Sequence, residues 1–373
     1  MKKLNWGLVG GGKGSQIGDA HRIGAAMDNC FELVAGALDI DAAKGRKYAT
    51  SLGISKDRAY ADWQSMLDGE TTREDGIRLV TVATPNATHF EITKAFLEKG
   101  IHVLCEKPLT MTVKEATTLH ALAKKKNCLL AVNFGYTGYP MVRQARAMVR
   151  SGKLGKIRLV SAQFAHGHHG DASDMDNPRV RWRYDPQQAG VSSVLADCGI
   201  HALQMATYIC DQQVNELSAH FLSAVEGREL EDDAALTLNF SAGTTCRLWT
   251  SAIAVGHMHG LSIEIFGEKG GLQWHQEQPN QLYHTPLNKP TQILERGSSA
   301  LHKDARLSSR IAIGHPEGMM PAFANIYRDI RAAIDGDTAA EDRLPLSNHG
   351  VEMVKVVQQA AKSAKAGGRW VKL

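Results

Sequence analysis

The sequence predicts an α/β fold in which an N-terminal, doubly wound parallel sheet precedes an α+β domain built on a mainly antiparallel sheet. Over the first third of the chain, short apolar runs alternate with segments of helical period, which is typical of parallel strands covered by helices. A glycine-rich loop follows the first apolar run. From residue 214 to residue 274, alternating polar and apolar residues separated by glycine-containing turns indicate antiparallel strands.

The first domain is predicted at residues 1–133. Its strands are runs rich in Val and Leu, and its helices carry apolar residues three or four positions apart. The predicted strands are residues 5–9, 33–38, 79–82, 102–105 and 129–132, and the predicted helices are the segment after Gly18, 41–52, 89–99 and 112–125.

The second domain is predicted at residues 134–373. A helix and a strand lead into a loop at residues 166–194 that is rich in His, Asp, Arg and Gly. So long an irregular segment in a compact chain is usually functional or disordered. The predicted strands are 157–164, 233–240, 246–254, 262–266 and 272–274, and the predicted helices are 140–150, 320–334 and 347–366.

Composition excludes several classes of protein. The 373 residues carry a net charge of only +4, spread along the chain, whereas a nucleic-acid binder should show a clustered basic stripe. No apolar run approaches the roughly 20 residues of a membrane helix, and the N-terminus has no secretory signal pattern, so we expect a cytoplasmic protein. The six cysteines form no Cys-x-x-Cys pair, and we expect neither a metal nor disulfides.

The loop after the first strand has the composition of a phosphate-binding turn. Glycines allow a tight turn and close backbone approach, and the following helix N-terminus offers free N–H groups to a pyrophosphate. The loop is three residues longer than G-x-G-x-x-G, and a plain glycine-rich connector remains an alternative. The candidate cofactor-binding residues here are Gly10, Gly12, Lys13, Gly14, Ser15, Ile17 and Gly18.

Asp39 ends the second predicted strand, 27 residues after Gly12. A carboxylate there can accept hydrogen bonds from a ribose diol and would repel a 2′-phosphate. This favours NAD, with NADP possible. A helix N-cap, or a turn formed with Asp41, is the structural alternative for the same residue.

Polar residues also follow three other strands of the first domain. Functional groups gather at the carboxyl ends of parallel strands in doubly wound folds. We therefore add these residues to the candidate cofactor site: Thr84, Asn86, His89, Glu106, Lys107 and Asn133.

Three motifs carry a family resemblance: Ala-Thr-Pro-Asn-Ala-Thr-His at 83–89, Gly-Ile-His-Val-Leu-Cys-Glu-Lys-Pro-Leu at 100–109, and Asp-Cys-Gly-Ile-His at 197–201. The chain resembles the Gfo/Idh/MocA family of glucose-fructose oxidoreductase and inositol dehydrogenase-like enzymes. The resemblance implies a Rossmann domain that binds NAD(P). It also implies a C-terminal domain with a large open sheet that often serves as an oligomer interface, hence a homodimer or homotetramer.

The resemblance also implies three catalytic residues: Lys107, near both nicotinamide and the substrate hydroxyl, with Asp197 and His201 completing the site. Oxidising an alcohol requires a base for the hydroxyl proton, and an ordinary imidazole titrates near neutral pH. Asp197 and His201 are four residues apart and would share one face of a helix. We expect His201 to take the proton, Asp197 to orient it or hold a substrate hydroxyl, and Lys107 to donate a hydrogen bond to the reacting oxygen.

Further substrate-binding candidates are Tyr136, His168 and Arg183, in addition to Asp197 and His201. Aromatic and guanidinium side chains suit the apolar face and hydroxyl rim of a sugar. A metal site in the His-rich loop, or packing of that loop on a partner subunit, would draw on the same residues.

The function that these features imply is hydride transfer between the nicotinamide and a secondary alcohol of a sugar, polyol or cyclitol. The substrate is then a small molecule, with no nucleic acid and no membrane as partner. Two alternatives stay open: a sugar oxidoreductase with a tightly bound, redox-cycled cofactor, and a non-catalytic NAD-binding regulator.

Overall fold

The structure of the protein is a computed structural model that describes residues 2–373, apart from the side chains at positions 178 and 179. Residue 1, with which the predicted first domain begins, lies outside the described residues. The chain forms two compact units. The first contains the chain up to Thr110, Lys114–Gly135 and Met319–Val351, and the second contains Met111–Val113, Tyr136–Gly318 and Glu352–Leu373.

The first unit is built on a five-stranded parallel sheet with the strand order β2-β1-β3-β4-β5. Strands β1, β3, β4 and β5 are almost wholly buried, as their unbroken apolar runs predict. The order reverses between β1 and β3, which is where this class of fold binds ligands. The strands are β1 (Leu4–Gly10), β2 (Phe31–Ala37), β3 (Leu79–Ala83), β4 (His102–Cys105) and β5 (Leu130–Val132).

Side-chain caps begin three of the five α-helices between residues 16 and 126. Ser15 accepts the N–H of Gly18, Asp41 accepts those of Ala43 and Lys44, and Asp62 forms a capping box with Ser65. The helix after Asp62 is absent from the sequence prediction. The helices are α1 (Gln16–Met27), α2 (Ala42–Ser51), α3 (Trp63–Thr71), α4 (His89–Glu98) and α5 (Val113–Lys126).

The second unit contains a nine-stranded sheet in which only β6 and β9 pair in parallel. The predicted fold class, a parallel Rossmann sheet followed by a large and mainly antiparallel sheet, is therefore confirmed. Four of its strands were not predicted, among them the two-residue edge strand β14. The strands are β6 (Ile157–Ala165), β7 (Val214–Leu222), β8 (Asp233–Phe240), β9 (Thr245–Ser251), β10 (Ser262–Gly267), β11 (Gly270–His275), β12 (Gln281–Pro286), β13 (Gln292–Glu295) and β14 (Val371–Lys372).

The helices of the second unit include one element that changes the helical repeat. A π-helical segment, Leu195–Gly199, leads directly into α9, so the predicted catalytic pair spans a change of helix type. The α-helices of this unit are α6 (Pro140–Arg150), α7 (Pro178–Arg181), α8 (Pro186–Ala189), α9 (Ile200–Cys210) and α10 (Lys303–Leu307).

The C-terminal part of the chain contains α11 (Met319–Ile334), α12 (Thr338–Arg343) and α13 (Ser347–Lys365). Helix α11 packs on α1, and its residues Ile326, Tyr327 and Ile330 belong to the same buried cluster as Trp6 and Leu8. Residues 319–351 are thus part of the first unit. The predicted domain boundary between residues 133 and 134 therefore differs from the boundaries of these units. The prediction assigned residues to domains in chain order, whereas α11 packs into the core of the first unit.

Candidate active site

The glycine loop is a close-packed turn between β1 and α1. A Cβ atom placed on Gly12 would lie 2.5 Å from the carbonyl oxygen of Leu38, and one on Gly18 would lie 2.3 Å from that of Gly11. Gly10 and Gly14 have φ angles of 79° and 82°, a backbone conformation that residues with a Cβ atom rarely adopt. Lys13, Gly14 and Ile17 are exposed. The backbone of this loop is therefore open to a ligand at the N-terminus of α1.

A cavity of about 570 Å³ opens beside this loop. Gly10, Asp39 and Thr84 line it together, so three of the predicted cofactor residues share one cavity. Asp39 also accepts the N–H of Asp41 through Oδ1 at 2.9 Å. The turn that was the alternative for Asp39 is thus present, and Asp41 rather than Asp39 is the N-cap of α2.

His89 joins two turns at the strand ends. Its Nδ1 lies 2.8 Å from the carbonyl oxygen of Pro108 and its Nε2 lies 2.8 Å from that of Thr84. Burial opposes protonation, but Cys105 and these carbonyl oxygens raise the pKa of His89 to about 9. Because the side chain is fully buried and both ring nitrogens face the backbone, His89 braces the two turns, while Asn86 beside it is half-buried.

Glu106 is the centre of a buried hydrogen-bond network. Its Oε1 accepts from Nε2 of His21 at 3.0 Å and from Nδ2 of Asn133 at 2.5 Å, and its Oε2 accepts the backbone N–H of Lys107 at 3.2 Å. Burial would raise the pKa of Glu106, but the hydrogen bonds from His21 and Asn133 and the charge of Lys107 hold it below its usual value. The group is a carboxylate at neutral pH. His21 did not enter the sequence prediction, since a histidine on a helix carries no signal of its own.

These residues fit NAD on two observations. The cradle formed by Gly12 and Gly18 has no room for a Cβ atom. Oδ1 of Asn133 is buried and, among the described residues, has no hydrogen-bond partner, so it can accept a hydrogen bond from an amide such as that of nicotinamide. The glycine loop would hold the pyrophosphate and Asp39 the ribose diol.

His201, in the second unit, lies among aromatic rings. The centre of its ring is 5.0 Å from that of Tyr136, edge to face, and 6.2 Å from that of Phe164. Burial raises the pKa of Tyr136 well above its usual value, which keeps the phenol protonated. The predicted substrate residues Tyr136 and His201 are thus brought together.

Asp197 lies on the π-helical segment, half-buried like His201. Its Oδ2 accepts a hydrogen bond from Nε of Arg183 at 2.8 Å. The predicted substrate residues Asp197 and Arg183 therefore also meet, and the loop at 166–194 is attached to the helix at this point. π-Helical turns occur frequently at functional sites.

Glu231 holds the start of this helical segment and was not predicted. Its Oε1 accepts from Oγ of Ser192 at 2.6 Å and from the backbone N–H groups of Ser193 at 2.9 Å and Leu195 at 3.2 Å. The side chain is buried, and it supplies the acceptor that the N-terminus of a helix needs. No local sequence signal could have found it, because it lies 36 residues from Leu195.

The His-rich loop packs its rings against one another. His168 is exposed, and its ring stacks on that of His166 at 4.9 Å. Burial and the neighbouring histidines lower the pKa of His166 to about 4, so this ring is neutral. Its Nδ1 accepts the N–H of His168, which leaves the proton on Nε2, 3.5 Å from Sγ of Cys198. Within residues 2–373, no three His, Cys, Asp or Glu side chains are grouped so as to bind a metal.

Comparison with known proteins identifies the family. Residues 4–134 match a family model described as an oxidoreductase family with an NAD-binding Rossmann fold, and residues 142–273 match the GFO/IDH/MocA C-terminal domain. The chain belongs to the Gfo/Idh/MocA oxidoreductase family. It is accordingly an NAD-dependent oxidoreductase, and the predicted family and cofactor are confirmed.

Several relatives of this Gfo/Idh/MocA protein span the whole chain. An uncharacterized oxidoreductase, YfiI of Bacillus subtilis (strain 168), is 39% identical over 380 residues, which cover 99% of this chain and 97% of YfiI. An inositol dehydrogenase homolog from Azotobacter vinelandii, crystallised with NAD⁺, is 42% identical with a TM-score of 0.96, covering 100% of this chain and 98% of that one. A structure of such a homolog from the same organism with NADH and myo-inositol has a TM-score of 0.92 at 41% identity, with the same coverage.

Among the described residues of this Gfo/Idh/MocA oxidoreductase, no helix has the length and apolar character needed to span a bilayer.

Proposed function

We propose that this protein oxidises a secondary alcohol of a cyclitol or related polyol, of the inositol class, and passes the hydride to NAD. The observation that carries the proposal is the pair Asp197 and His201, both half-buried and one helical turn apart, with His201 packed edge-on against Tyr136. The homolog from Azotobacter vinelandii that was crystallised with NADH and myo-inositol supports this substrate class.

In the proposed reaction the substrate C–H bond breaks as a hydride leaves and the O–H bond loses its proton, so that a ketone forms. Bound NAD supplies the hydride acceptor. His201 takes the hydroxyl proton as general base, a role that suits an imidazole because its ordinary pKa is near neutral. Lys107 donates a hydrogen bond to the reacting oxygen and stabilises negative charge that develops there.

Asp197 has an orienting role in this proposal. A carboxylate that stays ionised favours the cationic form of a nearby imidazole and can hold a substrate hydroxyl. Nε of Arg183 donates to Oδ2 of Asp197 at 2.8 Å, and this charge-assisted hydrogen bond fixes the direction of the carboxylate. The flat ring of Tyr136 suits the C–H face of a cyclitol.

A spectrophotometric screen tests the proposal. Formation of NADH is measured with inositols, hexoses, glycosides and sugar acids, each with NAD and with NADP. We expect turnover of at least one cyclitol or polyol with release of NADH. Absence of turnover on every polyol with both cofactors would contradict the proposed substrate class.

Two substitutions test the assigned roles. Lys107→Ala and His201→Ala should each lower kcat about 100-fold or more, the usual loss for a proton-handling group, and leave NADH affinity within about threefold. The exposed residues Lys99 and His275 offer matched controls, and Lys99→Ala and His275→Ala should retain wild-type kcat. Loss of NADH affinity with unchanged kcat would show that the roles are misassigned.

A further inference from the structure

A line of buried polar side chains runs through the first unit and ends at Glu106. Nε1 of Trp6 donates to Oγ1 of Thr81 at 2.9 Å, and Oγ1 of Thr81 lies 2.9 Å from the hydroxyl of Tyr327. That hydroxyl lies 2.9 Å from Nδ1 of His21, whose Nε2 lies 3.0 Å from Oε1 of Glu106. Trp6, Thr81, Tyr327 and His21 are at most 1% exposed, so water does not supply their partners.

The two ends of this line, together with the need of each buried hydroxyl hydrogen for an acceptor, set the direction of every hydrogen bond in it. An indole N–H only donates, and an ionised carboxylate only accepts. Thr81 therefore accepts from Trp6 and donates to Tyr327, which in turn donates to Nδ1 of His21. His21 is then neutral with its proton on Nε2, and it donates to Glu106. An imidazolium would donate to Tyr327 as well, and the buried hydroxyl hydrogen of Thr81 would lose its acceptor.

Besides the hydrogen bond from His21, Glu106 accepts hydrogen bonds from Asn133 and from the backbone of Lys107. Nδ2 of Asn133 donates to the same oxygen of Glu106, at 2.5 Å. This orients the Asn133 amide and turns its Oδ1 away from Glu106, where it is buried with no hydrogen-bond partner among residues 2–373. The other oxygen of Glu106 accepts the backbone N–H of Lys107. One carboxylate thus holds both a candidate acceptor for the carboxamide and the start of the Lys107 turn.

We propose that His21, with Tyr327 behind it, is a positioning residue that holds Glu106, and through it Asn133, for the nicotinamide carboxamide. This role rests on the NAD-dependent function proposed above. It also gives a reason for the packing of α11 on α1, because Tyr327 comes from a segment far outside the matched Rossmann residues 4–134.

Two substitutions at His21 separate positioning from packing. In His21→Gln the amide nitrogen can take the place of Nε2 and still donate to Glu106. In His21→Asn the shorter amide can occupy only the place of Nδ1, facing Tyr327, and the bond to Glu106 is lost. Both remove a buried ring, so both should lower stability alike. We expect His21→Asn to weaken NADH binding by about tenfold or more, the worth of one bond to a charged group, and His21→Gln by about threefold at most.

Tyr327→Phe, which removes a single oxygen atom, should fall between the two because His21 loses the donor that fixes its tautomer. Tyr60→Phe is the matched control, since the Tyr60 hydroxyl donates to Glu70 at 2.9 Å in the same unit and outside this line. It should bind NADH as wild type does. Binding is measured by titrating NADH fluorescence without substrate, and folding by circular dichroism.

Nitrogen-15 NMR of the imidazoles reads the tautomer in the wild-type protein, with the His21 signals assigned by their absence from the His21→Gln spectrum. The expected result is a neutral ring protonated at Nε2. An imidazolium, or equal NADH affinity in His21→Asn and His21→Gln, would overturn the positioning role. Because these readouts need no substrate, they stay decisive even if the cyclitol screen fails, which would count against the proposed function alone.

Discussion

Replacing Glu231 by alanine should loosen the helical segment that carries Asp197 and His201. Oε1 of Glu231 accepts three hydrogen bonds, from Ser192, Ser193 and Leu195, and alanine leaves all three donors without that acceptor. At about 1 kcal/mol for each bond, the loss is about 3 kcal/mol. Local opening of the segment should then become roughly 150-fold more frequent.

Hydrogen–deuterium exchange of peptides covering residues 192–203 measures that opening directly, and kcat measures its effect on Asp197 and His201. We expect faster exchange confined to the second unit and a fall in kcat with little change in NADH affinity. The global free energy of unfolding, measured with urea, sets the upper limit for the free energy of local opening.

Glu231→Gln and Glu229→Ala serve as the two controls. Burial raises the pKa of Glu231 despite its three hydrogen bonds, so a neutral amide that keeps the acceptor oxygen should cost less than about 1 kcal/mol. Glu229, two residues earlier, is exposed, and its replacement should change stability by less than about 0.5 kcal/mol. Exchange in Glu231→Ala as slow as in Glu229→Ala would refute the capping role.

Three further outcomes are expected. Gly12→Ala places a Cβ atom 2.5 Å from the Leu38 carbonyl and should weaken NADH binding about tenfold in a fluorescence titration; Gly318→Ala, where a Cβ meets nothing within 4 Å, should not. Asp39→Asn keeps the acceptor for Asp41 and removes the charge, so the NADP to NAD ratio of kcat/KM should rise at least about tenfold; an unchanged ratio would exclude Asp39 from cofactor choice. His166, with a folded pKa lowered to about 4 by burial and the nearby histidines, binds fewer protons than the unfolded chain between pH 6.5 and 4. Stability should therefore fall as pH drops through that window, and His166→Gln should flatten the fall between pH 7 and 5, measured as urea midpoints.

The parallel sheet was predictable because its strands are apolar runs that end at polar residues or, for β1, at the glycine loop. Val80 and Val82 are buried, and Thr84 follows them at the strand end. The unpredicted strands lack that signal. Val371–Lys372 pairs with the edge of the large sheet through only two residues, so its pairing depends on a distant strand rather than on its own composition.

The apolar stripe of α11 shows where periodicity stops being informative. Phe323, Tyr327 and Ile330 recur at helical spacing within the predicted helix and are buried in the structure. Periodicity cannot say which core a helix enters, and it treats Tyr327 as an apolar residue. The role of its hydroxyl depends on contacts with Thr81 and His21. These residues lie 246 and 306 positions from Tyr327 in the sequence, so no local pattern reveals the contacts.

His21 and Glu231, the two residues proposed to position the candidate catalytic groups, are also far in sequence from the residues that they contact. Lys107, Asp197 and His201 belong to short motifs that a sequence displays, whereas the groups that hold them, His21 with Glu106 and Glu231 with Leu195, are 85 and 36 residues from their partners. A motif records which group reacts, and a distant buried acceptor determines where that group points. The prediction that follows is a division of phenotypes: changes at Lys107, Asp197 and His201 should reduce kcat alone. Changes at Glu231 should reduce kcat together with local protection from exchange, and changes at His21 should reduce NADH affinity.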